Sequence, residues 1–285
     1  MTAEQVPERT SQDLRDKAAI VTGAGSRAEG IGNGRASAIL LAEAGAKLVL
    51  IDENEEWAAR TRAMIEAEGG EAIVVRADVT EPEDCARAVK TSVERFGRLD
   101  VLVNNVGVSG PRGDAVALDL EEWDRALRVN VTSMMLMARF AVPEMAKRKS
   151  GAIVNIASVA GLRGGTPNLL YPVSKGAVVN MTRAMAVHHA ADGIRVNCVC
   201  PGMVYTPMMF SKGMSADVRE ARRMRSLLKT EGTGWDTGAA VVFLASGSAR
   251  WITGVILPVD AGATATTSTA GVYPVVGQPV RAAET

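Results

Sequence analysis

Tyr171 and Lys175 stand four positions apart in the segment Tyr-Pro-Val-Ser-Lys, and Ser158 ends a β-like run thirteen residues before the tyrosine. On a helix this spacing places the phenol and the ammonium on one face. The cation can then stabilise a phenolate, which makes tyrosine a usable general base. The pair therefore predicts proton-transfer chemistry, although such pairs also occur as ordinary neighbours on exposed helices.

A glycine-rich segment, residues 22–34, follows a predicted strand and opens a predicted helix. Glycines let the backbone approach a pyrophosphate, and a helix N-terminus offers unpaired N–H groups to the anion. Asp52 lies at the end of the second predicted strand, about 20 residues further on, where a carboxylate can bind the adenosine ribose. The combination predicts a dinucleotide site, whose loop residues are Gly23, Ser26, Arg27, Gly30, Ile31 and Gly32.

The choice between the two nicotinamide dinucleotides depends on Asp52 and Arg27. The Asp52 carboxylate is expected to repel a 2′-phosphate, so NAD is preferred over NADP. The Arg27 guanidinium could instead bind that phosphate, which keeps NADP as the alternative.

Between residues 17 and 262, short β-branched runs alternate with longer Ala-rich amphipathic segments. This alternation is typical of βα units around a parallel sheet. We predict an α/β chain with a single-domain Rossmann fold, in which helices cover both faces of a seven-stranded parallel sheet. The predicted strands are 18–22, 47–52, 72–77, 101–105, 152–157, 195–199 and 255–259. The predicted helices are 33–44, 55–68, 82–96, 120–147, 171–189 and 235–244. Residues 1–16 form an N-terminal extension in this prediction, and residues 263–285 form a tail or an arm crossing a neighbouring subunit.

Composition excludes several other classes of protein. The chain has 285 residues, with 32 Lys plus Arg and 32 Asp plus Glu, so no basic field for nucleic acid exists. No apolar run approaches the roughly 20 residues that a membrane-spanning helix needs. Three cysteines and a polar N-terminus without a signal peptide favour a cytoplasmic location. Cys198 and Cys200 have no ligand partners at metal-binding spacing, so we expect them in the core and expect no metal site.

Several motifs in order resemble the classical short-chain dehydrogenase/reductase family over residues 17–262. They are the Gly23 to Gly32 turn, Asp78-Val79, Asn104-Asn105-Val106-Gly107, Asn130, Ser158, Tyr171 to Lys175, and Pro201 to Pro207. Three features depart from the family pattern, one of which is Ala261, where glycine is common near the end of the last strand. Six residues, 24–29, separate Gly23 from Gly30 where the family has three, and Val106 replaces the usual alanine.

The resemblance implies roles for further residues. Asn130, Ser158, Tyr171 and Lys175 would form the catalytic tetrad, with Asn130 holding a water that links the lysine to solvent. Asp78 and Val79 would line the adenine pocket, Asn105 would lie on the adenosine ribose side, and Gly107 would also bind the cofactor. Val204 and Thr206 would bind the nicotinamide carboxamide, and Lys175 would also bind the nicotinamide ribose.

These features predict an NAD-dependent oxidoreductase that interconverts an alcohol and its ketone. A secondary alcohol with an apolar portion is expected, because methionines and a phenylalanine cluster between residues 203 and 214. The alternatives are an NADP-dependent carbonyl reductase or a dehydratase-like member of the same family, a non-catalytic dinucleotide-sensing protein, and a methyltransferase with a similar turn. The family likeness also implies a homotetramer, while the substrate, its stereochemistry and the direction of hydride transfer remain open.

Overall fold

Seven strands run parallel in one sheet in the computed structural model, which describes residues 9–211 and 213–267. They are β1 (Ala18–Thr22), β2 (Lys47–Asp52), β3 (Ala72–Arg76), β4 (Val101–Asn104), β5 (Gly151–Ile156), β6 (Ile194–Pro201) and β7 (Ile256–Val259). Their order across the sheet is β3-β2-β1-β4-β5-β6-β7. The chain moves outward from β1 to β3, returns to β4 beside β1, and continues to β7. This doubly wound order confirms the predicted Rossmann fold.

The strand predictions from sequence agree closely with these bounds. The predicted bounds of β1 and β2 are those of the structure, and β6 extends beyond the predicted 195–199 at both ends. Every residue of β1 is buried, as are seven of the eight residues of β6. Continuous burial explains why these strands read as apolar runs, since helices cover both faces of a parallel sheet.

Helices connect the strands and cover the two faces of the sheet in the described part of the chain. They are α1 (Asn33–Glu43), α2 (Glu55–Ala67), α3 (Pro82–Phe96), α4 (Leu120–Leu127), α5 (Ser133–Ala146), α6 (Leu170–His189), α7 (Pro207–Phe210), α8 (Ala216–Arg223) and α9 (Gly234–Ala245). Local sequence accounts for several ends. Asn54 and Asp119 accept N–H bonds as N-caps of α2 and α4, and Gly97 ends α3 with a left-handed conformation.

The prediction of one helix over residues 120–147 is wrong in one respect. A π-helical turn, Arg128–Thr132, separates α4 from α5. At this turn the side chain of Asn130 bonds to the backbone of Val108, outside the helix. Single π-turns inside helices occur frequently at functional sites, and this one presents Asn130 to the loop that follows β4.

The described residues form three apolar core clusters, and alternate residues of the central strands pack into two of them. Ile20 and Leu102 belong to the core beneath α3 and α5, whereas Val21 and Val103 belong to the core beneath α1 and α9. The strand ends are thereby fixed from both sides. Because parallel strands end at the same edge, the loops after β1, β2, β4, β5 and β6 meet there.

The predicted N-terminal extension packs onto the domain near its end. Leu14 is buried, and its N–H donates to Ala44 O at 2.7 Å. Residues 1–8 of the predicted extension and residues 268–285 of the predicted tail lie outside the described residues. Among the described helices, none has the length and apolar character needed to cross a membrane.

Candidate active site

A cleft of about 710 Å³ lies at the carboxyl edge of the sheet. It spans the point between β1 and β4 where the strand order reverses, which is where open α/β sheets bind ligands. Most of the predicted site residues line it, namely Gly23, Ser26, Arg27, Gly32, Asp52, Asp78, Val79, Asn105, Gly107, Tyr171, Lys175 and Thr206. Gly30, Ile31, Asn130, Ser158 and Val204 are not among the lining residues. The fold therefore gathers the predicted cofactor loop and the Tyr–Lys pair in one cavity.

The glycine-rich turn is shaped for close backbone approach. Gly23 has a φ of +62°, and a Cβ on Gly34 would lie 2.0 Å from Gly23 O and 2.5 Å from Asn105 Nδ2. Gly32 caps α1 without a side-chain hydrogen bond, and the first turn of that helix contains no acidic residue. Its N–H groups are therefore available to an anion, and a dinucleotide diphosphate fits this turn.

Asn33, in the first turn of α1, adds a further polar group to the cleft. It lines the cavity, and its buried Oδ1 has no hydrogen-bond partner within the described residues. A buried polar atom of this kind calls for a partner from a ligand or a bound water. Asn33 and Gly34 could not be assigned roles from the sequence pattern, because the buried oxygen of Asn33 and the close approach of Gly34 to Asn105 appear only in the folded chain.

Asp52 is held rigidly at the end of β2. Its Oδ2 accepts the N–H of Gly25 at 2.9 Å, and its Oδ1 accepts the N–H of Asn54 at 3.0 Å. Burial raises the pKa of this carboxyl, while the two backbone hydrogen bonds and the charges of Arg27 and Arg35 act in the opposite direction. Two backbone donors thus fix the carboxylate beside the glycine turn.

Asn105 connects the loop after β4 to the glycine turn. Its Nδ2 donates to Thr22 O and to Gly23 O, each at 3.1 Å, and its N–H donates to Thr22 Oγ1 at 3.0 Å. The side chain therefore shapes the floor of the cleft. Thr22 opens the glycine-rich segment of the sequence, but its bonds to Asn105 could not be predicted from the pattern.

Asp78 lies at the far end of the cleft, after β3. Its Oδ1 accepts the N–H and the hydroxyl of Thr80, each at 2.8 Å, and its own N–H donates to Asp84 Oδ2 at 2.7 Å. These contacts fix the loop that presents Val79 to the cavity. Trp57, on α2, lines the same end and was not predicted.

Tyr171 and Lys175 lie on one face of α6, as their spacing predicts. Lys175 Nζ is 6.0 Å from the centroid of the Tyr171 ring and donates to Ile156 O at 3.0 Å. Only 3% of Lys175 is exposed, and burial lowers its pKa to about 8. None of the ion pairs in the described part of the chain includes this ammonium, so it is a buried cation beside the phenol.

Ser158 follows β5 and interacts with the Tyr171 side chain. Burial raises the pKa of Tyr171, and the hydrogen bond with Ser158 opposes that rise. Ser158 Oγ also accepts the N–H of Ala160 at 3.1 Å, which caps a short 3-10 turn and fixes the hydroxyl. The two effects act in opposite directions, and the net pKa of the phenol lies above its ordinary value.

Asn130 is fully buried in the π-helical turn behind Lys175. Its Oδ1 accepts the N–H of Val108 at 2.7 Å, and its Nδ2 donates to Val108 O at 2.9 Å and to Ser174 Oγ at 3.0 Å. A Cβ on Gly107 would lie 3.1 Å from Lys175 Nζ and 3.4 Å from Asn130 Oδ1. The glycine thus permits the close approach of the asparagine and the lysine.

The segment after β6 covers one end of the cleft. Thr206, Pro207 and Met208 line the cavity, whereas Val204 is buried behind them and accepts a hydrogen bond from Arg222 through its carbonyl oxygen. Gly30 faces this segment, since a Cβ there would lie 3.3 Å from Phe210 Cζ. The lengthened glycine loop and the segment after β6 therefore meet above the cleft.

The cysteines are free thiols in the core. Cys85, Cys198 and Cys200 are all buried, and the Sγ atoms of Cys198 and Cys200 are 3.8 Å apart. The described residues contain no group of three His, Cys, Asp or Glu side chains arranged to hold a metal ion.

Comparisons with known proteins agree with this architecture. Residues 25–264 match a family model described as enoyl-(acyl carrier protein) reductase. Cis-4-hydroxycyclohexanecarboxylate dehydrogenase of Sinomonas cyclohexanicum is 39% identical over 250 residues, which cover 88% of this chain and 97% of that protein. Meso-2,3-butanediol dehydrogenase of Serratia marcescens is 37% identical over 250 residues, covering 88% and 95%.

Solved structures show the same fold. A crystal structure from Burkholderia xenovorans, described as a short-chain dehydrogenase/reductase, has a TM-score of 0.84 and 39% identity, covering 90% of this chain and 99% of its own. A 7α-hydroxysteroid dehydrogenase, complexed with NADH and 7-oxo glycochenodeoxycholic acid, has a TM-score of 0.81 and 31% identity, covering 88% and 95%. The chain belongs to the short-chain dehydrogenase/reductase family. It is an oxidoreductase that acts on CH–OH donors (EC 1.1.1.-) with a nicotinamide dinucleotide cofactor.

Proposed function

We propose that this protein is an NAD-dependent dehydrogenase that interconverts a secondary alcohol and its ketone, with Tyr171 as the general acid/base. The observation that carries the proposal is the continuity of one cleft from Asp52 to Tyr171 and Lys175. A dinucleotide with its adenosine ribose at Asp52 would extend along the glycine turn toward the Tyr–Lys pair.

The carboxylate of Asp52 supports NAD over NADP. Two backbone N–H groups hold it beside the glycine turn, so it cannot turn away from a 2′-phosphate without losing both bonds. Arg27 lines the same part of the cleft and is the residue that would favour NADP. The ratio of kcat/KM for the two cofactors tests this assignment directly.

When bound, the cofactor accepts or supplies the hydride and adds the positive charge of its oxidised ring. Tyr171 takes the hydroxyl proton of the alcohol, or returns it to the ketone oxygen. Ser158 donates to the same oxygen, where charge develops. The Lys175 ammonium lies 6.0 Å from the centroid of the Tyr171 ring, and its positive charge would favour the phenolate. A phenol that works near neutral pH needs about 3 to 4 kcal/mol of such stabilisation, and the positive charge of the oxidised cofactor ring would add to that of Lys175.

The substrate proposal rests on the cleft wall and on two relatives. Pro207 and Met208 provide an apolar side to the cavity, and methionine adapts to varied shapes. The named substrates of the Sinomonas and Serratia enzymes carry their hydroxyls on a ring and on a short chain. A secondary alcohol with an apolar portion fits both observations.

The test is a panel of secondary alcohols, ketones and enoyl thioesters, followed by nicotinamide absorbance, with Tyr171→Phe as the diagnostic variant. We expect turnover of an alcohol or ketone with NAD, and a decrease of at least ~100-fold in kcat for Tyr171→Phe with the dissociation constant for NAD unchanged. Tyr205→Phe, which removes a phenol hydroxyl outside the cleft lining, is the control. Unchanged turnover in Tyr171→Phe, or activity confined to the enoyl thioesters, would refute the proposal.

The homotetramer and the cytoplasmic location remain predictions. Met135 is about two-fifths exposed on α5, and Leu120 and Val187 are more than two-thirds exposed on α4 and α6. Apolar side chains on these helices favour pairing between subunits. The solution mass, measured by light scattering, tests the assembly, and a monomeric mass would rule it out.

A further inference from the structure

Arg35 is a buried arginine at the start of α1, directly beneath the glycine-rich loop. Only 5% of it is exposed, although it carries a full charge. Its Nη1 donates to Gly30 O at 2.7 Å and its Nε donates to Thr61 Oγ1 at 3.0 Å. None of the ion pairs in the described ranges includes Arg35. Burial of a cation without a carboxylate partner costs free energy, which calls for a compensating role.

Thr61, on α2, completes the arrangement. Its hydroxyl accepts from Arg35 and donates to Ala24 O at 2.7 Å. Ala24 begins the six-residue segment that separates Gly23 from Gly30, and Gly30 follows its end. The Arg35–Thr61 pair therefore holds both ends of the lengthened loop. A guanidinium suits this task because its planar fork donates in several fixed directions, which an ammonium cannot reproduce.

We propose that the Arg35–Thr61 pair is a clamp that holds the lengthened loop in the conformation that receives the diphosphate of the cofactor, with the Arg35 charge adding to the attraction. This inference rests on the dinucleotide site of the proposed function. Arg35 is a positioning residue in this account, since it acts through the loop backbone. The phosphate-bearing part of the ligand should be sensitive to the clamp, whereas adenosine and the chemical step should not.

The electrostatic surroundings of Arg35 are consistent with this role. The nearby charge of Asp52 favours its protonated form, whereas burial and the charge of Arg60 oppose it. The N-terminus of α1 adds partial positive charge on the same side of the loop. An anion bound over the turn would offset the charge of Arg35 and the partial positive charge of the helix N-terminus. The clamp and the ligand are therefore expected to stabilise one another.

The experiment compares calorimetric binding of ADP-ribose and of adenosine, together with amide hydrogen exchange of residues 24–31 without ligand. Arg35→Gln is the main variant, and Arg35→Lys and Thr61→Val each remove one part of the clamp while retaining charge. Arg60→Gln removes a neighbouring exposed cation and is the matched control for net charge. We expect Arg35→Gln to weaken ADP-ribose binding by at least ~10-fold, the loss of a charge-assisted hydrogen bond, and to change adenosine binding less than ~2-fold.

Arg35→Lys and Thr61→Val should both accelerate exchange in the loop, and Arg60→Gln should not. The kcat at saturating NAD should stay within ~3-fold of wild type in Arg35→Lys, with the loss confined to the KM for NAD. If Arg35→Gln weakened the binding of ADP-ribose and of adenosine equally, the whole binding site would have lost its structure, and the clamp proposal would be overturned. Unchanged ADP-ribose binding in both Arg35 variants would overturn it too. Failure of the wild-type protein to bind ADP-ribose would instead refute the dinucleotide site itself.

Discussion

The Lys175→Met variant should lose activity while its stability at pH 7 is retained or increased. Lys175 is 3% exposed, and its pKa is lowered from 10.5 to about 8 by burial. That difference corresponds to about 3 kcal/mol of preference for the neutral amine in the folded protein. At pH 7 the folded state therefore holds a charge that it would be more stable without, although Nζ donates a hydrogen bond to Ile156 O at 3.0 Å.

The sign of the pH dependence follows from proton binding. The unfolded chain keeps the Lys175 proton up to about pH 10.5, whereas the folded protein releases it near pH 8. Between these values the unfolded state binds more protons, so the free energy of unfolding rises with pH. Relative to Lys175→Met, the wild-type protein should gain about 3 kcal/mol over this window.

The assay is urea unfolding of both proteins from pH 7 to pH 10.5 at one fixed protein concentration. Lys147→Met, which removes an exposed lysine at the C-cap of α5, is the matched control. Lys175→Met should also lose most alcohol oxidation while matching or exceeding wild-type stability at pH 7. Parallel pH profiles for wild type and Lys175→Met would refute the argument that this ammonium is a buried charge that the fold tolerates for function.

Three further substitutions test other parts of the site. Asp52→Asn should raise the ratio of kcat/KM for NADP over NAD by ~10-fold or more, because it removes the repulsion of a 2′-phosphate, and an unchanged ratio would exclude Asp52 from cofactor choice. Gly34→Ala should abolish NAD binding or folding, as measured by calorimetry and circular dichroism, since the new Cβ would lie 2.0 Å from Gly23 O; normal binding would contradict this packing. Ser158→Ala should lower kcat by ~100-fold through loss of the hydroxyl donor, with NAD affinity retained, and a full kcat would exclude that donor from the reaction.

Local patterns were sufficient for the parts of the site that depend on one element. The spacing of Tyr171 and Lys175 fixes their common face on α6, and the position of Asp52 at the end of β2 fixes its place beside the glycine turn. The sequence pattern likewise located the strands, because short, continuous runs of β-branched residues are typical of strands buried in a parallel sheet.

Other features depend on contacts between distant residues and could not be predicted in this way. The π-turn at Asn130 is held by bonds to Val108 and Ser174, which lie 22 and 44 residues away. The sequence pattern there is that of one continuous helix. The local sequence likewise does not predict the clamp of Arg35 and Thr61. An arginine or a threonine on a helix is usually exposed, and these two are buried only because the loop folds over them.

Arg35, beneath the glycine-rich loop, and Lys175, which lines the cleft, are both buried cations. Each is a buried cation that the fold holds through carbonyl or hydroxyl oxygens, with no carboxylate at ion-pair distance among the described residues. Each is thus destabilising by itself, and in the proposed function negative charge would compensate it, as a diphosphate near Arg35 and as a developing phenolate near Lys175. Cofactor binding should therefore raise the melting temperature of the wild-type protein, and Arg35→Gln should reduce this gain more than Arg60→Gln. Equal gains in the two variants would mean that the charge beneath the loop does not act on the ligand.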